Sequence, residues 1–107
     1  MATSVPAASL KLFKPLLPIA QGVGSALLQR RDALGTGDLW ALEAAGIPSF
    51  EPLVDGRSYF NYHHTAADTL DKVDPENLRR QVAVMSLYAW FLAEMPQAPG
   101  RVMPLPD

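Results

Sequence analysis

The sequence contains no cysteine and only two histidines among its 107 residues. The lack of cysteine excludes disulfide bonds and zinc sites built on thiolates. Basic residues are not in excess either, since nine lysines and arginines stand against eleven acidic residues and give a net charge of −2. The chain has no basic stripe and no alternation of basic and aromatic residues, so we expect no nucleic-acid partner.

Several sequence signals of common function classes are also missing. Gly22 and Gly24 form a G-x-G, but the phosphate-binding pattern G-x-x-x-x-G-K-[ST] is absent, and so is the G-x-S-x-G of serine hydrolases. The apolar stretch near residues 10–19 is broken by proline and lysine and is too short to span a bilayer, so we expect no membrane partner. Residues 1–9 carry no charged n-region, and we expect that they are not a signal peptide.

The chain suits one small domain by its length, and 49% of its residues are hydrophobic. We expect this domain to cover residues 1–95. Residues 96–107 contain four prolines, which predicts an extended, mobile tail. A small domain buries a modest share of its surface. With this hydrophobic content, we expect some apolar side chains to stay exposed and to favour association into a homo-oligomer.

The pattern of apolar residues and turn signals predicts an α/β fold. Helices are expected near residues 7–18, 38–45 and 75–95. One good strand is expected at 47–54, and a weaker one near 26–29, so the chain would hold about three helices and one or two strands. Asp38 is a suitable N-cap for the second helix, and Gly46 is a suitable glycine just beyond its end.

The last helix has the clearest signals. Asp74 is a good N-cap, and Pro75 takes the first helical position, where a missing N–H costs nothing. An apolar stripe repeats at steps of four, three, four and three residues, and further apolar residues widen it. The stripe consists of Leu78, Val82, Met85, Ala89 and Leu92, and the residues that widen it are Val84, Tyr88, Phe91 and Met95. A helix this apolar is expected to be mostly buried.

Both histidines lie side by side in the polar stretch 59–71, as His63 and His64. This stretch follows an expected strand and precedes an expected helix, where α/β proteins present reactive side chains. Three interpretations are open. The pair could bind zinc, it could act in acid–base chemistry near neutral pH, or it could be two surface residues with no chemical role. Zinc needs three or four ligands, so this pair alone is not a complete site.

The sequence of residues 59–75, YFNYHHTAADTLDKVDP, resembles the C-terminal metal-binding segment of the di-zinc exopeptidases. That family places its last zinc ligand in an H-[TS]-x-x-D-T pattern, which matches residues 64–69 here. The Gly-Thr-Gly-Asp at 35–38 and the Ala-Gly-Ile-Pro at 45–48 also match family motifs in order and spacing. The resemblance covers about residues 35–95 and is strongest to the plasma glutamate carboxypeptidase branch.

The resemblance implies roles for three residues. His64 would be the zinc ligand. His63 would lie beside the substrate carbonyl and stabilise the oxyanion. Asp68 would be a carboxylate behind the metal ligand, or a brace for the loop. The complete enzyme would hold two zinc ions and hydrolyse a terminal bond of a peptide or dipeptide, and the fold would be a three-layer αβα sandwich.

The same resemblance implies that most of the site lies elsewhere. Family members add upstream ligands and a glutamate base, whereas the 34 residues before Gly35 hold no histidine and a single acidic residue, Asp32. We therefore interpret the chain as the C-terminal part of such an enzyme, inactive alone. The residues themselves assign no compartment; a periplasmic or secreted location of the complete form is what the resemblance implies. The alternatives are an interaction module that kept the loop without its chemistry, and a zinc site shared between copies.

Overall fold

The computed structural model describes residues 1–25, 27–34 and 37–102, and shows a small mixed α/β domain around a three-stranded sheet. The strands are β1 (Ala2–Thr3), β2 (Gln29–Arg30) and β3 (Phe50–Glu51). The helices are α1 (Leu17–Gly22), α2 (Leu39–Ala44), α3 (Tyr59–Tyr62) and α4 (Pro75–Glu94). Two 3₁₀ segments, Ala7–Phe13 and Leu70–Lys72, complete the regular structure of the described residues.

The sheet has the order β2-β1-β3, with the first strand in the middle. β1 runs parallel to β2, so that Ala2 lies opposite Gln29, and antiparallel to β3, so that Thr3 lies opposite Phe50. β1 was not predicted from the sequence, because a two-residue strand of small side chains has no alternation to detect. Its burial comes from its central position, and Ala2 and Thr3 are fully buried.

The two predicted strands exist but are shorter than expected. Within 47–54 only Phe50–Glu51 pairs with β1, since Pro48 and Pro52 flank the pair and proline cannot donate to a ladder. The strand expected near 26–29 forms at Gln29–Arg30. Ala26, in that expected strand, lies outside the described residues.

The first predicted helix, 7–18, is wrong in its bounds. A 3₁₀ segment covers Ala7–Phe13, and a separate α-helix then runs from Leu17 to Gly22. Pro18 lies in the first turn of α1, where the missing N–H breaks no hydrogen bond, so it helps to start a helix instead of ending one.

The predicted glycine beyond the C-terminus of α2 and the predicted N-cap of α4 are confirmed. α2 ends in a Schellman motif, in which Gly46 adopts φ 77° while its N–H bonds to the Glu43 carbonyl at 2.8 Å and that of Ile47 to the Leu42 carbonyl at 2.9 Å. At the start of α4, the Asp74 carboxylate accepts a 2.8 Å bond from the Asn77 amide. Asp38 also lies at an N-cap, but its side chain makes no capping bond.

The core lies between α4, the segment 5–20 and the sheet. Its buried members are Met1, Val5, Phe13, Leu16, Ala20, Val84 and Tyr88. Aromatic rings connect the parts: Phe13 lies 5.5 Å from Phe50 and 5.8 Å from Phe91 between ring centroids. The aromatic residues therefore fix α4 against the first third of the chain.

The predicted buried stripe of α4 is wrong for most of its length. Leu78, Val82 and Met85 are 49%, 57% and 41% exposed, whereas Val84 and Tyr88 face the core. The residues that were expected to widen the stripe thus form its buried centre. α4 is apolar over a wider arc than the described part of the chain covers.

The tail is also better held than its prolines predict. The Ser9 hydroxyl donates to the Pro99 carbonyl, Arg101 Nη1 donates to the Ala45 carbonyl at 2.8 Å, and the Val102 amide donates to the Gly46 carbonyl at 3.0 Å. Residues 99–102 are thereby tied to the end of α2. The rest of the predicted mobile tail, 103–107, lies outside the described residues.

Candidate metal site in the 59–71 loop

The histidine loop begins with the single turn of α3. The His63 amide donates to the Tyr59 carbonyl at 2.9 Å and closes this turn. Residues four apart on a helix face each other, and the His63 imidazole stacks on the Tyr59 ring with centroids 4.4 Å apart. Phe60 presents its edge to the same imidazole at 6.1 Å. Two aromatic side chains therefore set the orientation of His63.

A type II turn follows and holds both histidines in its two central positions. His63 has φ −48° and ψ 122°, His64 has φ 58°, and the Thr65 amide donates a 2.9 Å bond to the Tyr62 carbonyl. The third position of such a turn normally belongs to glycine, because φ is positive there. Among the described residues, His64 is the only one other than glycine with a positive φ.

Thr65 braces the turn from its C-terminal side. Its hydroxyl donates to the Tyr62 carbonyl at 2.7 Å and accepts from the Ala67 amide at 3.2 Å. This role of Thr65 was not predicted from the sequence, although a threonine directly after a turn is a signal for such local bonds. Through it the strained backbone of His64 is held on both sides.

The two imidazole rings lie together on an open surface. Their centroids are 3.9 Å apart and their planes meet at 65°. His64 is exposed and His63 partly so. Tyr59 and Phe60 are 51% and 83% exposed. The Phe60 ring contacts only the neighbouring loop residues Tyr59 and His63 among the ring contacts of the described residues.

Asp68 is not brought to the histidines by any contact. Its amide donates to the Thr65 carbonyl at 3.1 Å, but its carboxylate makes no hydrogen bond within the described part of the chain. A role for Asp68 behind the metal ligand stays a prediction.

Local charged pairs lie at both ends of the loop. Before it, Arg57 bonds to the Asp55 carboxylate, at 2.9 Å from Nε, and lowers the pKa of Asp55 to about 2. After it, hydrogen bonds from Lys72 and then Thr69 lower the pKa of Asp71. Lys72 also lies 5.6 Å from the centre of the Tyr62 ring. Asp55 and Asp71 are thus paired with neighbouring cations, and neither carboxylate joins the two histidines as a further metal ligand.

The loop offers donor atoms of a kind that zinc prefers, but it offers too few of them for a complete zinc site. Imidazole nitrogens suit zinc, and the two rings are adjacent. No group of three or more histidine, cysteine, aspartate or glutamate side chains that could hold a metal ion occurs in the part of the chain that the structure describes. Gly35 and Thr36, which belong to the Gly-Thr-Gly-Asp motif, lie outside the described residues.

A cavity lies beside the loop and not on the histidines. It has a volume of about 720 Å³, and Ser58 and Lys72, at the two ends of the loop, contribute to its wall. Leu53, Val54 and Leu78 supply apolar surface. His63 and His64 are not part of this wall, so the cavity and the imidazole pair are neighbouring but separate features.

Comparisons with other proteins add no assignment. No protein-family model matches the chain, and neither a curated protein nor a solved structure matches it. None of the helices in the described residues is long and apolar enough to cross a membrane.

Proposed function

We propose that the chain is the C-terminal metal-site segment of a zinc-dependent exopeptidase, with His64 as a zinc ligand. The backbone of His64 carries the proposal. A non-glycine residue with φ 58° in a type II turn costs stability, and such strain clusters at functional sites. The H-T-x-x-D-T pattern at 64–69 supports the same residue through its resemblance to the di-zinc exopeptidases.

In this proposal each residue of the pair has its own part. His64 binds zinc, and His63, oriented by Tyr59, lies beside it and donates a hydrogen bond to the oxyanion formed from the scissile carbonyl. When bound, the zinc supplies polarisation of that carbonyl and a lowered pKa for the attacking water. The substrate is a peptide or dipeptide. The remaining ligands of the two zinc ions and the glutamate base come from polypeptide outside this chain, within a three-layer αβα sandwich.

The gene provides the first test of this proposal. We expect the reading frame upstream of the Met1 codon to continue and to encode an H-x-D motif and a Glu-Glu motif. A genuine start site at Met1, with no such motifs upstream, would contradict the proposal.

Peptide hydrolysis by the purified chain provides the second test. We expect no hydrolysis of dipeptides with zinc present, because a general base and most ligands are missing. Hydrolysis that survives repurification and is lost in His64→Ala would show that the chain is complete in itself. The proposed dependence on outside ligands would then fail.

A second candidate function rests on α4. Its exposed stripe of Leu78, Val82 and Met85 is a surface that isolated domains rarely leave uncovered. This favours a self-association module that kept the loop but not the chemistry. A chain that associates through α4, with a start site at Met1, is the outcome that selects this function.

A further inference from the structure

The cavity of about 720 Å³ beside the histidine loop lies at the N-terminal end of β1, where Met1 forms part of its wall. Leu27, two residues before β2, also lines it, and so do Leu53 and Val54, which follow β3. The side chains of these three residues are exposed. The cavity is therefore bordered by the segments that adjoin both outer strands of the sheet.

On the side of β2, the ladder of hydrogen bonds already extends to Met1. The Gln29 amide donates to the Met1 carbonyl at 2.9 Å, and the Met1 amine donates to the Leu27 carbonyl at 3.0 Å. A residue inside a parallel strand makes the same kind of bonds to its neighbour. Because Ala2 lies opposite Gln29, a residue directly before Met1 would lie opposite Leu27.

On the side of β3, the ladder offers a partner for the same additional residue. The Ser4 amide donates to the Ser49 carbonyl at 3.1 Å, and hydrogen-bonded pairs recur at every second residue of an antiparallel ladder. Two such steps back from Ser4 reach the residue directly before Met1, which the register places opposite Leu53. Within the described residues, neither the amide nor the carbonyl of Leu53 makes a hydrogen bond.

The charges of the cavity wall also suit a polypeptide backbone. Burial lowers the pKa of the Met1 amine, since it disfavours the charged form, whereas a peptide amide would make the bond to Leu27 without a charge. The charged side chains of the wall are already engaged by neighbouring residues: Asp55 by Arg57, Lys72 by Asp71, Asp74 by the Asn77 amide, and Arg80 by Glu76. The wall thus offers backbone hydrogen-bonding groups and apolar side chains, and its charged side chains already have partners.

We propose that the residues encoded directly upstream of Met1 continue β1 through this cavity as the central strand of the sheet. The residue directly before Met1 exchanges hydrogen bonds with Leu53. The residue before that one lies on the same face of the strand as Met1 and carries an apolar side chain, because alternate residues of a strand share a face. This placement rests on the proposed function in one respect, because it needs polypeptide upstream of Met1.

The test adds the dipeptide Val-Thr before Met1 and follows the exchange of the Leu53 amide hydrogen by NMR. We expect this exchange to slow by about tenfold relative to the parent chain, because the amide gains a hydrogen bond. The Ile47 amide, which is bonded in the last turn of α2, is the internal reference in each chain. The Val-Thr chain should also unfold at a higher denaturant concentration than the parent.

A Val-Pro extension is the matched control. Proline directly before Met1 has no N–H to donate to the Leu53 carbonyl, and a central strand does not accommodate its ring at a hydrogen-bonded position. We expect no slowing at Leu53 in this chain. Circular dichroism shows that each chain is folded.

Three outcomes overturn the strand. Leu53 exchange that stays unchanged with Val-Thr shows that the extension does not pair. Equal slowing with Val-Thr and Val-Pro shows that the extension covers the cavity without entering the ladder. A Val-Thr chain that unfolds at a lower denaturant concentration than the parent shows that the cavity does not admit a strand.

The strand and the exopeptidase proposal fail by different results. A genuine start site at Met1 overturns the exopeptidase proposal whatever the exchange of Leu53 shows. An open frame that encodes the exopeptidase motifs but has a proline codon directly before Met1 overturns the strand alone. Unchanged exchange of Leu53 in the Val-Thr chain likewise overturns the strand and leaves the exopeptidase proposal standing.

Discussion

The amide of Thr65 donates a 2.9 Å hydrogen bond to the carbonyl of Tyr62 and closes a type II turn around the two histidines. His64 thereby occupies a position with φ 58° that glycine fills at no steric cost. A side chain that costs stability where it lies points to selection for the side chain and not for the fold.

Replacing His64 by glycine should separate the effect of this residue on stability from its effect on zinc binding. We expect His64→Gly to unfold at the same or a higher denaturant concentration, with a gain of up to about 1 kcal/mol, because glycine relieves the positive φ. The parent should bind zinc weakly, because most of the ligands are missing, and calorimetry should show that even this binding is lost in the glycine variant. Asn61→Ala, which leaves both imidazoles in place, is the control for zinc binding. A glycine variant that is clearly less stable would mean that the His64 ring holds the loop together, and the argument from strain would fail.

The two N-caps offer a matched pair. The Asp74 carboxylate accepts a bond from the Asn77 amide, whereas the Asp38 side chain makes no capping bond. Asp74→Ala should lower the free energy of unfolding by about 1 kcal/mol, and Asp38→Ala by much less. Urea unfolding of both variants checks this. Equal losses would show that Asp38 caps α2 in solution.

The sequence predicts both aspartates as N-caps, although only the Asp74 side chain makes the capping bond. Local signals predicted the start of α4 and the glycine at position 46, because caps and turns depend on a few neighbouring residues. They did not predict the short helix α3 within the histidine loop. β1 and the buried side of α4 could not be predicted, since they depend on which distant segments meet. The apolar arc of α4 is wide, and only packing decides that Val84 is buried while Val82 is exposed.

Gly46, which has a positive φ at the end of α2, also lies against Val102 in the tail. A Cβ on Gly46 would lie 2.9 Å from the Val102 carbonyl oxygen, and its φ is 77°. Gly46→Ala should therefore cost about 1–3 kcal/mol, measured by denaturant unfolding. Gly22→Ala is the control, because its Cβ would meet no atom within 4 Å at the end of α1, and a neutral or slightly stabilising effect is expected. If both variants were neutral, residues 99–102 would not hold α2 in solution.

Lysine substitutions at two nearby positions of α4 should distinguish its exposed stripe from its buried side by their effect on stability. Val82 is 57% exposed and Val84 is 8% exposed, two residues apart on the same helix. Val82→Lys should leave the free energy of unfolding within about 0.5 kcal/mol of the parent, because the ammonium stays in water. Val84→Lys should cost several kcal/mol and unfold the domain, because it buries a charge without a partner.

Sedimentation without zinc then tests whether chains associate through the exposed stripe of α4. If chains associate through α4, the parent forms larger species as concentration rises and Val82→Lys does not. A second charged variant on the same stripe, Leu78→Lys, should act in the same way because it is 49% exposed. A parent that stays monomeric at all concentrations would remove the self-association function. The stripe would then be surface that other polypeptide of the proposed exopeptidase covers.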